Sequence, residues 1–298
     1  MEVISMKPPK FSYLRPNDLA EALDLLAEYG EDAKIMSGGQ SLIPLLNMRL
    51  STPRYIIDIG RVKELHGIKE EEDAIVIGGM TRHVDVEKSE LIKEKCPLLT
   101  EGIRWVGHTQ IRSRGTIGGS IAHADPSAEL PCILTALRGE IVVASKEDEF
   151  TLTPEEFFLS YLLTSLEPDQ LIKGIRFPKL NKNSGYAFEE VARRHGDFAL
   201  VEVAAVINLD KDGKVAEAQI ALGGANAVPF VPLETEEFLI GKEPNETILK
   251  EAATLQLEDL DPEGDIHGSK EYRRYLTGVL LQRALHTAVK RAREGVVV

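Results

Sequence analysis

Cysteine is scarce in this chain of 298 residues, which has only Cys96 and Cys132 and no Cys-x-x-Cys spacing. That scarcity excludes a self-contained zinc ribbon, an iron–sulfur ligand set and a disulfide framework. Long hydrophobic runs are missing too, since the longest uncharged stretch, residues 218–233, is interrupted by glycines and prolines. No membrane span is therefore expected. Residues 1–16 lack the apolar segment of a secretory leader, so the expected compartment is the cytoplasm.

Positive charge is in deficit: 35 Lys and Arg oppose 48 Asp and Glu, which gives a net charge of −13. An acidic chain is poorly suited to bind a nucleic-acid backbone or an anionic membrane surface, so neither is expected as a partner. The hydrophobic fraction of 43% and the charged fraction of 28% indicate a folded globular protein.

The usual motifs of catalysis and nucleotide binding are also missing. No two glycines stand in Gly-x-Gly spacing, so the Rossmann fingerprint is absent, and no Gly-x-Ser-x-Gly elbow is present. The seven histidines form no metal-ligand spacing. We therefore expect neither a catalytic nucleophile nor a metal site in this chain, and the chemistry is expected to belong to a bound cofactor.

Glycine is plentiful, and two Gly-Gly pairs lie in similar settings. Ser37-Gly38-Gly39-Gln40-Ser41 follows a predicted strand at 33–36 and precedes a predicted helix at 42–50. The second turn, Thr116-Ile117-Gly118-Gly119-Ser120, precedes a predicted helix at 127–137. Glycine turns let backbone N–H groups converge on a phosphate, although each pair alone is also compatible with a simple tight turn. Three arginines near the second turn are expected to offset phosphate charge: Arg104, Arg112 and Arg114.

The order of predicted elements favours an α+β fold in both halves of the chain. A polar stretch at 178–185 reads as a linker between them. Beyond it, strands are predicted at 186–193, 203–209 and 214–222, and helices at 247–257 and 270–293.

The two glycine motifs resemble those of the FAD-binding medium subunit of the molybdenum hydroxylases, a family that includes the carbon monoxide dehydrogenase medium chain and the flavin domain of xanthine dehydrogenase. The second motif continues as Ile121-Ala122-His123-Ala124-Asp125-Pro126, and the likeness extends over nearly the whole chain. The resemblance implies an FAD-binding domain of the vanillyl-alcohol-oxidase (PCMH) type at 1–180, with subdomains at about 1–60 and 61–180. It also implies a C-terminal α+β domain at 185–298, with a small antiparallel sheet and helices.

The resemblance also implies which residues meet the FAD. They are Ile35, Met36, Ser37, Gly38, Gly39, Gln40, Ser41 and Leu42 in the first loop, Thr116, Ile117, Gly118, Gly119 and Ser120 in the second, and Val106, Asp125, Glu129, Ile172 and Glu189 elsewhere. Relatives usually carry Asp at the position of Glu129, and xanthine dehydrogenases carry Lys at that of Glu189. His123 and Asp125 together also fit a metal pair or an acid/base dyad, but bracing of the local loop by Asp125 is favoured over both.

By the same resemblance, the chain is expected to be an electron-transfer subunit. It would accept electrons from the 2Fe-2S clusters of a small subunit, which receives them from a large molybdopterin subunit, in a dimer of heterotrimers. Two alternatives stay open at this point. One is a stand-alone FAD oxidase that acts directly on its substrate, and the other is a non-catalytic assembly module whose glycine loops are purely structural.

Overall fold

The computed structural model describes residues 6–295. The first part of the chain forms a small parallel sheet. Its strands are β1 (Ser12–Leu14), β2 (Ala33–Met36) and β3 (Tyr55–Asp58), and β3 lies between the other two. Helix α1 (Leu19–Tyr29) joins β1 to β2, and the short helix α2 (Leu42–Asn47) follows β2. The carboxylate of Asp18 caps α1 by accepting the N–H of Glu21 at 2.9 Å.

A five-stranded antiparallel sheet and a cluster of short helices come next. The strands are β4 (Ile68–Glu70), β5 (Ala74–Gly78), β6 (Glu140–Ala144), β7 (Glu149–Leu152) and β10 (Leu171–Pro178), in the spatial order β4-β5-β10-β6-β7. The helices between β5 and β6 are α3 (His83–Lys88), α4 (Glu90–Lys95), α5 (Pro97–Ile103), α6 (Thr109–Arg112), α7 (Ile117–His123) and α8 (Glu129–Ala136). Helix α9 (Pro154–Phe157) and the hairpin strands β8 (Phe158–Ser160) and β9 (Leu163–Thr164) precede β10.

The last part of the chain forms a three-stranded antiparallel sheet that is covered by a long helix. Its strands are β11 (Gly185–Ala192), β12 (Ala199–Leu209) and β13 (Val215–Gly223), and the helices are α10 (Leu233–Leu239), α11 (Glu246–Ala252) and α12 (Lys270–Glu294). Gly185 permits the close packing of β11 on α12, because a Cβ there would lie 1.8 Å from the carbonyl oxygen of Ala288.

The two faces of this C-terminal sheet serve different cores. Side chains such as Val201 and Val203 pack with α12 in one hydrophobic cluster. Their strand neighbours Ala204 and Val206 point to the opposite face and join the core that contains α5 and α8. The sheet is therefore buried between its own helix and the helices of the preceding part of the chain.

The architecture confirms the α+β prediction, and the long elements were located well. Strand 33–36 has the expected bounds, and α12 ends one residue beyond the predicted helix. The predicted helix at 42–50 is shorter than expected, because the backbone turns into a left-handed conformation at Arg49. Strands β1, β7, β8 and β9, which have two to four residues each, were not predicted. None of the helices within residues 6–295 is long and apolar enough to cross a membrane.

Two glutamates are buried where the C-terminal sheet meets α8. Glu190 and Glu202 are paired residues of β11 and β12, and their exposed fractions are 7% and 0%. Within the described residues, neither carboxylate oxygen of Glu202 has a hydrogen-bond partner. Burial raises the pKa of Glu190 to about 8 and that of Glu202 well above its ordinary value, and the charge of Glu129 in α8 adds to both shifts. Both carboxyls are therefore protonated in the folded protein near neutral pH.

We expect this buried pair to make stability fall as pH rises. The unfolded chain loses these protons near pH 4.5, whereas the folded protein keeps that of Glu190 to about pH 8, so in this window the folded state binds more protons and ionisation favours unfolding. The variant Glu202→Gln keeps the shape of the side chain and removes its titration. In urea unfolding between pH 5 and pH 8, wild type should lose stability relative to this variant, by up to about 1.4 kcal/mol per pH unit.

The exposed Glu234 provides the matched control for this comparison. Glu234→Gln should follow the wild-type pH dependence. If Glu202→Gln also runs parallel to wild type across the whole range, the carboxyl of Glu202 is not held protonated by the fold.

Candidate cofactor site

The two glycine loops meet each other in the structure. The first loop, residues 37–41, leaves the carboxyl end of β2 in the parallel sheet, which is where sheets of this kind commonly bind ligands. The second loop runs through Thr116 into the first turn of α7. The hydroxyl oxygens of Ser37 and Thr116 are 2.6 Å apart, and a Cβ on Gly38 would lie 2.5 Å from the carbonyl oxygen of Arg114. The loops thus form one continuous surface, with backbone against backbone.

The backbone donors of the second loop are already used inside the protein. Ile117 N–H donates to the carbonyl of Thr81 at 3.0 Å, and Gly118 N–H donates to that of Gly79 at 2.9 Å. Gly119 N–H is capped by the hydroxyl of Thr116 at 3.1 Å. What this loop presents outward is the half-buried backbone of Gly119 and the adjoining residue Ser120.

The backbone donors of the first loop, by contrast, are free. Among residues 6–295, no hydrogen bond engages the N–H groups of Gly38, Gly39, Gln40 or Ser41, all of which are only half-buried. Gly39 has φ +73°, a conformation that glycine adopts without strain. Consecutive free N–H groups at such a turn make a concave donor surface for an anion. The first loop therefore has the donor set expected of a phosphate cradle.

Two arginines add positive charge beside the loops. Arg82 forms an isolated β-bridge with Thr116, and its guanidinium donates a hydrogen bond to the carbonyl of Arg114. Burial, and then the like charge of Arg114, lower the pKa of Arg82. Neither guanidinium forms an ion pair with any of the described residues. Two cations outside any ion pair thus accompany the free N–H donors, with Asp85 and Asp58 acting on Arg82 from beyond ion-pair distance, and this arrangement suits a pyrophosphate.

Of the three arginines expected to offset phosphate charge, Arg112 does not do so. Its buried guanidinium pairs with Glu87 at 2.9 Å. It also donates to three backbone carbonyl oxygens, those of Arg104, Val106 and Gly107. Arg112 is therefore a brace for the loop that carries Val106, and the expectation from the sequence was wrong because proximity along the chain does not report what a side chain already binds. Arg104 is exposed.

Val106, expected near the flavin ring, and Ile172, expected to contact the cofactor through its backbone, are attached to the same framework. Val106 is half-buried and packs on the core around α5 and α8. Ile172 lies in β10 at a register shift, with an exposed fraction of 6%. A Cβ on Gly79 would lie 2.5 Å from the carbonyl oxygen of Ile172, and one on Gly118 would lie 2.7 Å from the carbonyl oxygen of Gly79. The backbone of Ile172 is thereby linked through Gly79 to the second loop.

Asp125 and Glu129 flank the turn between α7 and α8. The carboxylate of Asp125 accepts the N–H of Ser127 at 2.9 Å. Asp125 therefore braces this turn, which is the local role that the sequence favoured for it. Glu129 is 7% exposed, and burial raises its pKa to about 7, with the charge of Asp125 adding to the shift. Near neutral pH, the carboxyl of Glu129 can therefore donate a hydrogen bond as well as accept one.

Glu189 is not brought to the glycine loops. It lies on the α12 side of β11, the face opposite to Glu190. Burial raises its pKa, and the charges nearest to it are those of Arg283 and Arg291 in α12 and Glu101 in α5. A cofactor contact by this residue stays a prediction. The remaining residues of the expected set lie in the first loop and at its ends, with Ile35 and Met36 in β2 and Leu42 at the start of α2.

Arg82 and His83 were not predicted from the sequence. His83 is 4% exposed, burial lowers its pKa to about 4, and neither ring nitrogen has a partner within residues 6–295. A Cβ on Gly115 would lie 2.9 Å from the ring, so the neutral imidazole packs under the second loop. The sequence has a further Gly-Gly pair just upstream of these residues, Gly78-Gly79, and that pair is the one local signal that could have marked this segment. No group of three or more metal-ligating side chains occurs in the described part of the chain.

Comparisons with known proteins agree with this geometry. Residues 9–180 match the model of the FAD binding domain in molybdopterin dehydrogenase, and residues 186–288 match that of the CO dehydrogenase flavoprotein C-terminal domain. Among curated proteins, the 6-hydroxypseudooxynicotine dehydrogenase complex subunit alpha of Paenarthrobacter nicotinovorans is 41% identical over 97% of both chains. The caffeine dehydrogenase subunit beta of Pseudomonas sp. strain CBB1 is 40% identical over 96% of this chain and 97% of its own length.

Solved structures agree as well. A chain of carbon monoxide dehydrogenase from Hydrogenophaga pseudoflava superimposes with a TM-score of 0.93 at 34% identity, covering 95% of this chain and 99% of its own length. Similarity in sequence and in structure thus extends over nearly the whole chain. This protein belongs to the family of FAD-binding medium subunits of the molybdenum hydroxylases.

Proposed function

We propose that the chain holds FAD with the pyrophosphate across its two glycine loops and relays electrons from iron–sulfur clusters of a partner to an external acceptor. Family membership makes it an FAD-dependent oxidoreductase subunit of the carbon monoxide dehydrogenase type. The single observation that carries the assignment of the loops is the row of free N–H donors at residues 38–41, beside two unpaired arginines.

Each group at the site has a distinct task in this proposal. The N–H donors of the first loop and the guanidinium groups of Arg82 and Arg114 offset the phosphate charge. The close approach of Gly118 to Gly79 holds the second loop in position, and the buried carboxyl of Glu129 orients a polar edge of the cofactor by hydrogen bonding. When bound, the flavin supplies the ability to take up electrons singly and release them in pairs.

Molybdopterin and 2Fe-2S clusters belong, in this proposal, to partner subunits. The relatives are named as subunits or medium chains of larger enzymes, including a carbon monoxide dehydrogenase. The only cysteines of the chain, Cys96 and Cys132, are buried in its core and unavailable as cluster ligands. We extend the proposal to a small iron–sulfur subunit and a large molybdopterin subunit, in a dimer of heterotrimers in the cytoplasm.

The proposal also divides the chain at the polar linker, into 1–180 and 185–298. The hydrogen-bonded sheets before and after the linker are separate. Two alternatives were left open by the sequence. A non-catalytic assembly module does not account for the free N–H donors of the first loop or for the two arginines outside ion pairs. The stand-alone oxidase finds no support in a particular set of side chains within the described residues.

The absorption spectrum of the purified chain tests the cofactor assignment. Flavin bands should be present on isolation or appear after FAD is added and free FAD is removed, and a chain without either is not an FAD carrier. Purification of the native complex should then bring iron and molybdenum in the same fraction as the flavin. A chain that oxidises substrate without any other subunit would contradict the electron-relay function.

Substitutions in the glycine loops should remove FAD without unfolding the chain. Gly119→Val places its Cβ 2.7 Å from the hydroxyl of Thr116 and 3.5 Å from that of Ser37, which blocks the junction of the loops. Gly39→Val blocks the first loop at φ +73°. We expect at least a tenfold loss of FAD affinity for each. Gly213→Val is the matched control for Gly39→Val, because Gly213 has φ +76° and open space around it. It should bind FAD normally.

Removal of the charge of Arg82 should weaken FAD binding through the pyrophosphate. A charged hydrogen bond typically contributes about 1.5 to 3 kcal/mol, so Arg82→Gln should raise the dissociation constant of FAD about tenfold or more. The effect should shrink for riboflavin, which has no phosphate, in fluorescence titrations. Lys211→Gln, in an exposed turn of the C-terminal sheet, is the control. An equal loss for FAD and riboflavin would mean that Arg82 acts only on the fold.

A further inference from the structure

One segment of the chain exposes an unusual density of large apolar side chains. In the β8–β9 hairpin, Leu159, Tyr161, Leu162 and Leu163 have exposed fractions of 55%, 40%, 57% and 53%. Single exposed apolar side chains are common on protein surfaces, whereas a contiguous group of this size marks a site of interaction. We call residues 159–163 the hairpin surface.

The hairpin surface is held firmly by the rest of the protein. Leu162 and Ala124 both have left-handed backbone conformations, with φ 54° and φ 50°, and Leu162 N–H donates to the carbonyl of Ala124 at 3.2 Å. At its base, Phe157 and Phe158 are buried, with ring centroids 5.1 Å apart. Positive φ is unfavourable for leucine and alanine, so the surrounding contacts keep the hairpin in one fixed shape.

The position of the hairpin surface relates it to the cofactor site. Ala124 is the residue that ends α7, and α7 begins at the second glycine loop. A helix of seven residues is about 10 Å long at the usual rise. The hairpin surface therefore lies about one helix length from the second glycine loop, so a partner docked there would be close to the proposed cofactor.

The charges around the hairpin surface are mainly negative. Asp261 and Glu263 face Tyr161, and so do the cations Lys270 and Arg273. Both cations are compensated, since Lys270 pairs with Asp261 at 3.0 Å and Arg273 with Asp265 at 3.1 Å. Glu263 forms no ion pair with another described residue. Two further carboxylates, Glu155 and Glu156, lie in α9 immediately before the hairpin.

We propose that the hairpin surface is the docking site of the iron–sulfur subunit, and that this partner presents an apolar patch ringed by Lys and Arg. The proposal rests on the proposed function, which requires a subunit of this kind close to the flavin. Leucine side chains at the centre provide apolar burial, and the acidic rim provides charge complementarity and orientation.

A double substitution tests the apolar part in the intact complex. Leu159→Ser with Leu163→Ser should weaken the association of the iron–sulfur subunit at least tenfold, measured as iron retained per FAD when the purified complex is diluted before size-exclusion chromatography. Leu233→Ser with Ile240→Ser is the matched control, since these residues lie at the two ends of α10 and are 59% and 47% exposed. The control should keep the iron of wild type.

The outcomes separate this proposal from the proposed function. FAD content should be equal in wild type, test variant and control. Retention of iron by the test variant at wild-type dilution overturns the docking site. Release of the molybdopterin subunit alone, with iron retained, overturns the choice of partner. Absence of flavin from the wild-type complex contradicts the proposed function instead, whatever the hairpin variants do.

A charge reversal tests the rim. Glu263→Lys should accelerate loss of the iron–sulfur subunit at low ionic strength, and the difference from wild type should shrink in about 1 M salt, where charges are screened within about 3 Å. Glu243→Lys, an exposed residue of the C-terminal part, is the control. Equal behaviour of the two variants at low salt would contradict the charge complementarity.

Discussion

The contact between the two glycine loops is the constraint on which the cofactor site depends. Gly38 lies against the backbone of Arg114, Gly118 lies against that of Gly79, and the hydroxyls of Ser37 and Thr116 meet at 2.6 Å. Backbones approach this closely only where no Cβ intervenes. These contacts join the loop that follows β2 to the first turn of α7 in a single surface. They also determine which N–H donors stay free.

The two loops therefore differ in role although their sequences look alike. Both contain a glycine pair flanked by hydroxyl residues, and the sequence predicted the same phosphate contact for both. In the structure, the N–H groups of the second loop donate hydrogen bonds to the carbonyl oxygens of Thr81 and Gly79 and to the hydroxyl of Thr116. These bonds hold α7 in place. The N–H groups of the first loop have no hydrogen-bond partner among the described residues, so they stay available to a ligand. Sequence reveals where backbone is free to bend, but not which backbone groups a fold has already paired.

Much of the fold was predictable because its elements carry local signals. Each of these signals is contained in a short stretch of sequence. Examples are the apolar period of α12, the capping residue Asp18 and the β-branched residues of the strands. Arg112 and Glu189 show the limit. Each lies beside a charged residue from another part of the chain, Glu87 for Arg112 and Arg283 for Glu189, and the local sequence does not predict these contacts. The sequence did not predict Arg82 as a site residue for the same reason, because several helices separate it along the chain from Thr116, its β-bridge partner.

The packing of the C-terminal sheet on α5 and α8 has a consequence for engineering in this family. One face of that sheet shares a core with helices that belong to the flavin-binding half, and Glu190 and Glu202 are shielded there. A chimera joined at the polar linker would set a foreign helix surface against these two carboxyls. Exchange of the C-terminal half between relatives therefore has to carry α5 and α8 with it, so the unit that can be transplanted is larger than the linker suggests.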